Sequence, residues 1–143
     1  MIKFNKRYYG VEFDIELKDK ICLFDGYSGT GKSFAMMAIH KYLVEQGVDV
    51  LYINYENCSY TVEQMIGLCS VNKVIIMDDA DLYMTQELYN YIKLNCEQSL
   101  ICLKDIYRIR RGNCGFYSII YEGDTLRTKK KITLVLLLNS IVT

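Results

Sequence analysis

The clearest pattern in the chain begins at Val11. In VEFDIEL, Val11, Phe13, Ile15 and Leu17 alternate with Glu12, Asp14 and Glu16. A period of two with an acidic outer face predicts a half-exposed strand. KDK then turns the chain into ICLF, Ile21 to Phe24, an unbroken apolar run that predicts a buried strand. A glycine-rich loop follows. Between Lys32 and Gln46, Phe34, Met37, Ala38, Ile39, Tyr42 and Leu43 recur at helical spacing, and Gly47 suits a left-handed cap that ends the helix. VDVLYINY reads as the next strand. Thr61 and Gln64 in TVEQ fit a capping box, which predicts a short helix through Leu68. KVIIM reads as another buried strand and ends in Asp78 and Asp79. Thr85 to about Asn95 reads as a helix with Leu88, Tyr89 and Ile92 inward, and SLICL as a further strand. GFYSIIYEGDTLRT reads as a hairpin turning at Gly123 and Asp124.

Strands alternating with helices predict an α/β fold. The expectation is a three-layer sandwich around a mostly parallel central sheet, with an antiparallel N-terminal strand and a C-terminal hairpin. With 143 residues, no internal repeat and no linker-like stretch, residues 1–143 read as one domain. Sheets of this class bind ligands beyond the carboxyl ends of their strands. The glycine-rich loop and the Asp pair both fall at such ends, on two different strands.

Gly26, Gly31, Lys32 and Ser33 complete the pattern G-x-x-x-x-G-K-[ST], between a predicted strand and a predicted helix. The chemistry that needs this pattern is phosphate binding. A helix start offers unpaired N–H groups and the positive end of a dipole. Glycines let the loop before it wrap N–H groups around a phosphate. Lys32 adds a mobile positive charge, and the Ser33 hydroxyl can ligate the accompanying magnesium. The second motif, VIIMDDAD, lies from Val74 to Asp81, with Asp78 46 residues after Lys32.

On these two motifs the chain resembles the P-loop NTPase superfamily, with GYSGTGKS as its Walker A and VIIMDD as its Walker B. The resemblance covers roughly Lys20 to Leu103. DDADL resembles an acidic run of the AAA-like and RecA-like ATPase branch, in which a second acid polarises the attacking water. That acid is commonly Glu; here it is Asp79, one methylene shorter. The resemblance implies ATP and Mg2+ as ligands. It implies nucleotide contacts from Gly26, Tyr27, Ser28, Gly29, Thr30, Gly31, Lys32, Ser33 and Phe34, metal ligation by Ser33 and Asp78, and catalysis by Lys32 and Asp79. No segment after the last hairpin reads as the helical lid of a full AAA module, so the chain reads as a minimal core or one that borrows parts from a partner.

The formal net charge is zero, which excludes a chain-wide polyanion binder. From Ile101 onward, however, eight Lys or Arg stand against three Asp or Glu. Arg108, Arg110 and Arg111 read as an arginine finger for a neighbouring subunit, as a phosphate clamp, or as a solvated loop. Arg127 to Lys131 suits nucleic-acid backbone or acidic lipid weakly and a basic surface segment better. His40 has no partner motif and reads as structural. The six cysteines include no C-x-x-C pair and read as small buried hydrophobes of a reducing compartment. The apolar run ITLVLLLNSIVT has 12 residues, short of the ~20 that span a bilayer. The expected location is cytoplasmic. Three functions remain open: an ATPase driving a conformational change in a homo-oligomer or protein partner, a small-molecule or nucleotide kinase, and a nucleotide-dependent binding module with little turnover.

Overall fold

The computed structural model describes residues 1–24, 31–54, 56, 59–105 and 107–131. Gly26, Tyr27, Ser28, Gly29 and Thr30 of the glycine-rich loop lie outside the described residues, as do Cys58 and the apolar run 132–143. The elements are β1 (Ile2–Tyr8), β2 (Val11–Leu17), β3 (Ile21–Phe24), α1 (Lys32–Glu45), β4 (Val50–Ile53), α2 (Val62–Ser70) and β5 (Val74–Met77). One 3-10 turn (Ala80–Leu82), α3 (Gln86–Asn95), β6 (Gln98–Cys102), β7 (Gly115–Glu122) and β8 (Thr125–Lys130) follow.

The expected three-layer sandwich on a mostly parallel sheet is not what forms. Eight strands make one curled, mixed sheet in the order β1-β2-β8-β7-β3-β6-β5-β4, and strand residues outnumber those of the three α-helices. The cause is the pairing of two hairpins with each other. β1–β2 and β7–β8 are antiparallel pairs, and β2 lies parallel to β8 with Phe13 opposite Leu126 and Asp14 opposite Arg127. Arg127 forms an ion pair with Asp14, and the Thr128 hydroxyl accepts the Glu16 N–H at 2.9 Å. β2 therefore does not adjoin β3, although only the KDK turn separates them in sequence.

The buried side chains form two clusters. One joins α1 to Phe24, Ile76 and Leu100, and to the inward residues of the hairpins, Phe4, Phe13, Ile15 and Leu126. The other joins α2 and α3 to Leu23, Ile75, Met77 and Ile101. No residue of β1, β2 or β8 belongs to the second cluster among the described residues, so the apolar core under those strands lies on one face. A continuous three-layer arrangement is lost there. α1 serves both parts of the first cluster: Tyr42 stacks on Phe4 with ring centroids 4.1 Å apart. It buries Ala35 and Met36, whereas Met37, expected inward, is 47% exposed.

Local signals set the ends of the elements. The Thr61 side chain accepts the Gln64 N–H at 3.1 Å while Gln64 Oε1 accepts the Thr61 N–H at 2.9 Å, which closes a capping box on α2. Tyr9 and Gly10, both at positive φ, make the two-residue turn between β1 and β2.

Candidate functional site

β3, β6 and β5 lie side by side and parallel, so their carboxyl ends share one edge of the sheet. β3 delivers the chain to the glycine-rich loop, and β5 delivers Asp78 and Asp79. Gly31 then starts α1. It is the residue at the helix cap, with φ 88°, a conformation glycine takes without the steric cost of a side chain. Gly31, Lys32 and Ser33 at this helix start line a cavity of about 210 Å³ together with Asp78 and Asp79. Phe34, Asp81, Cys102 and Lys104 complete its wall.

Asp78 is almost fully buried and is held at three points. Its N–H donates to the Ile53 carbonyl at 2.8 Å, and its own carbonyl accepts the Tyr83 hydroxyl at 2.6 Å. One carboxylate oxygen accepts the Asp79 N–H at 3.0 Å. Burial, with Asp78 adding to it, pushes the Cys102 thiol far above its ordinary range, so Cys102 is a neutral floor to the cavity.

Asp79 adopts φ 50° and ψ 40°, left-handed backbone that Asp tolerates better than most residues. Partial burial, then the Asp78 carboxylate, raise its pKa above the ordinary carboxylate value, while Lys104 and Lys32 oppose the rise. Asp81 turns away to hold the next loop: its two oxygens accept the N–H groups of Lys104 and Asp105 at 2.7 and 3.1 Å. Among the described residues the cavity carries three carboxylates and two lysines.

The residues predicted for phosphate and metal contact that are described, Gly31, Lys32, Ser33, Phe34, Asp78 and Asp79, meet at this one cavity. The predicted contacts at Gly26 to Thr30 lie outside the described residues. The three arginines stand apart from it. Arg108 donates to the carbonyls of Asp81 and Met84, the latter at 2.5 Å. Arg111 is buried, with its guanidinium 5.0 Å from the Tyr107 ring and 5.5 Å from that of Phe116. Arg110 is exposed, its backbone held by Gln86. In the basic segment, Arg127 pairs with Asp14 and Glu122, and Lys130 with Asp19. Tyr83, Asp81 and Cys102 have no counterpart among the residues predicted for the site; only the acidic run DDAD hinted at Asp81.

Among the described residues, no group of three or more His, Cys, Asp or Glu could hold a metal ion, and no helix is long and apolar enough to cross a membrane. Of the cysteines described, Cys22, Cys69, Cys96 and Cys102 are buried and form no disulfide, and Cys114 is half-buried.

Gly31 also makes a measurable prediction. A Cβ there would lie 2.8 Å from Tyr121 Cε2 and 2.9 Å from its hydroxyl, whereas one at Gly123, φ 65°, would meet open space. Gly123→Ala should cost about 1–2 kcal/mol for the left-handed backbone alone. Gly31→Ala should cost more than Gly123→Ala in urea unfolding; equal losses would show that the Tyr121 ring yields freely.

No protein-family model matches the chain, and no curated protein matches it.

Proposed function

We propose that this protein binds ATP with magnesium and hydrolyses it, and that the cycle drives a conformational change in a protein partner or a second copy of the chain. One observation carries the reading. The lysine and serine of a complete G-x-x-x-x-G-K-[ST] pattern share a cavity with the acid that ends β5, a buried parallel strand one place beyond the neighbour of β3.

The residues present suit a magnesium ion bridged to phosphate. Ser33 and Asp78 would hold it, and when bound it supplies positive charge to the phosphate oxygens. Two protein oxygens suffice, because magnesium keeps several waters and takes others from the phosphates. Lys32 sits on the same wall and neutralises terminal phosphate charge as the transition state develops. Asp79 accepts a proton from the attacking water. Its raised pKa makes it a stronger base than an ordinary Asp. Asp78, bonded to the Asp79 N–H, fixes the backbone from which that base projects.

The kinase alternative asks Arg108 to Arg111 to clamp a transferred phosphate. Arg108, although exposed, is committed to two carbonyls, and Arg111 is buried, which leaves Arg110 for that task. The ATPase reading needs at most one arginine, supplied to a neighbour.

The test is phosphate release from ATP–magnesium, alone and then with nucleosides or nucleic acid added. Steady release without an acceptor supports the ATPase. Transfer that requires an acceptor supports the kinase, and tight binding without turnover supports a binding module. Asp78→Asn should weaken nucleotide binding in magnesium and leave binding in EDTA unchanged. Equal loss in both buffers would remove Asp78 from the metal's ligands.

A further inference from the structure

The acids of the cavity lie to one side of β3. Asp78 ends β5, separated from β3 by β6, while β7 flanks β3 on its other side. On the nucleotide reading, the metal-bearing terminal phosphates point toward Asp78 and Asp79. A nucleoside end directed away from those acids, across Gly31, runs toward β7.

β7 has what that end needs. Its pairing with β3 stops at Phe24 opposite Tyr117, yet β7 continues to Glu122, so its last five residues overhang the end of β3. Tyr117 and Ile119 belong to the cluster on the α1 face. By the alternation of a strand, Tyr121 faces the same way. Its ring stands against the backbone of Gly31, so close that a Cβ on Gly31 would meet its ring edge and hydroxyl. Half of Tyr121 nevertheless remains exposed. Its partner across the hairpin, Leu126, is fully buried beneath the sheet and anchors the strand that carries the ring. Tyr121 is thus an aromatic face fixed beside the cap of the phosphate-binding helix, on the side opposite the acids.

We infer that Tyr121 is the base-stacking residue of this site: the nucleobase of a bound nucleoside triphosphate lies on its exposed ring after the chain of phosphates crosses Gly31. The inference rests on the nucleotide reading above and adds to it which element of the fold contacts the base. Stacking explains why an aromatic residue so near a phosphate cradle stays half open. A residue serving only to shield the helix start would gain by burying its ring.

Binding of ATP–magnesium and of inorganic tripolyphosphate–magnesium is measured by calorimetry on the full chain, for the parent, Tyr121→Phe, Tyr121→Ala and Tyr121→Leu. The parent binds ATP more tightly than tripolyphosphate. Tyr121→Ala weakens ATP binding about ten- to hundredfold, the range expected for loss of one base–aromatic stack, and leaves tripolyphosphate binding unchanged. Tyr121→Leu, which keeps apolar bulk against Gly31, loses ATP affinity to a similar extent, and Tyr121→Phe stays near the parent. Should Tyr121→Ala and Tyr121→Leu weaken both ligands equally, the ring merely supports the helix cap and the inference fails. A parent that binds tripolyphosphate as tightly as ATP also overturns it, while leaving the phosphate site standing. A parent that binds neither ligand brings down the nucleotide reading and this inference together.

Discussion

Lys32→Ala binds ATP–magnesium roughly ten- to hundredfold more weakly than the parent, with the fold intact. The magnitude follows from the loss of a hydrogen bond to a charged group, about 1.5–3 kcal/mol, and that range converts to the stated change in Kd. The fold survives because Lys32 occupies the first turn of α1, where the core contacts come from Ala35, Met36, Ala38, Ile39 and Leu43. Alanine is also the best helix former. Titration of a fluorescent ATP analogue reads the binding, and urea unfolding reads the fold. Binding at parental strength would remove Lys32 from the phosphate contacts and leave Lys104 as the lysine of the cavity.

The elements were legible where one local signal decided them. β3 and β5 are apolar throughout and buried throughout, so their pattern has no competing reading, and in β6 the run Leu100 to Cys102 follows buried Gln98 and Ser99. β1 was not legible because Lys6 breaks its alternation. The buried positions are Ile2, Phe4 and Tyr8, and Lys6, where a fourth would fall, is exposed and lays its ammonium 5.6 Å from the Tyr42 ring. The architecture was misread for a different reason. Alternating strands and helices specify neighbours along the chain but not which strand edges meet. Here the junction of the two hairpins depends on Asp14 with Arg127 and Glu16 with Thr128, contacts between residues more than a hundred positions apart. No period in the sequence carries that information.

The same division holds at the candidate site. Lys32, Ser33, Asp78 and Asp79 stood out because each lies where an apolar strand or a glycine loop gives way to polar residues. The sheet's parallel part brings them to one edge. Asp81 matters only because the chain returns at Lys104 and Asp105 to meet it. Tyr83 is one of thirteen tyrosines, and nothing around it marks it as the one bonded to the Asp78 carbonyl. The arginines read in the sequence as a finger, a phosphate clamp or a solvated loop, and charge alone did not separate these. Arg111 lies buried against two aromatic rings, and Arg108 closes the turn that follows Asp79.

Asp79→Asn lowers turnover about 10²–10⁴-fold, the usual contribution of a positioned base, and leaves ATP–magnesium binding near the parent. It also stabilises the protein at neutral pH. The sign follows from the direction of the shift. Burial and the Asp78 carboxylate raise the folded-state pKa of Asp79 above the ordinary 3.8, so the folded chain holds the proton more tightly than the unfolded chain does. The protonated form therefore contributes stability below the unfolded pKa, and that contribution is lost as pH rises through the folded pKa. Asn cannot ionise and escapes the loss. It also tolerates the left-handed backbone at this position as well as Asp does. The melting temperature of Asp79→Asn should accordingly exceed the parent's at pH 7, and the gap should narrow as pH falls through the window between the two pKa values. The parent's hydrolysis should decline on acidification as Asp79 takes up its proton, with the midpoint above 3.8, and the residual activity of the variant should lack that limb. Gain of stability with loss of turnover is what a strained, partly buried base produces. A variant that keeps parental turnover assigns the proton transfer to another group, and one that melts below the parent at pH 7 shows that the carboxylate is held by attraction rather than kept at the cost of burial.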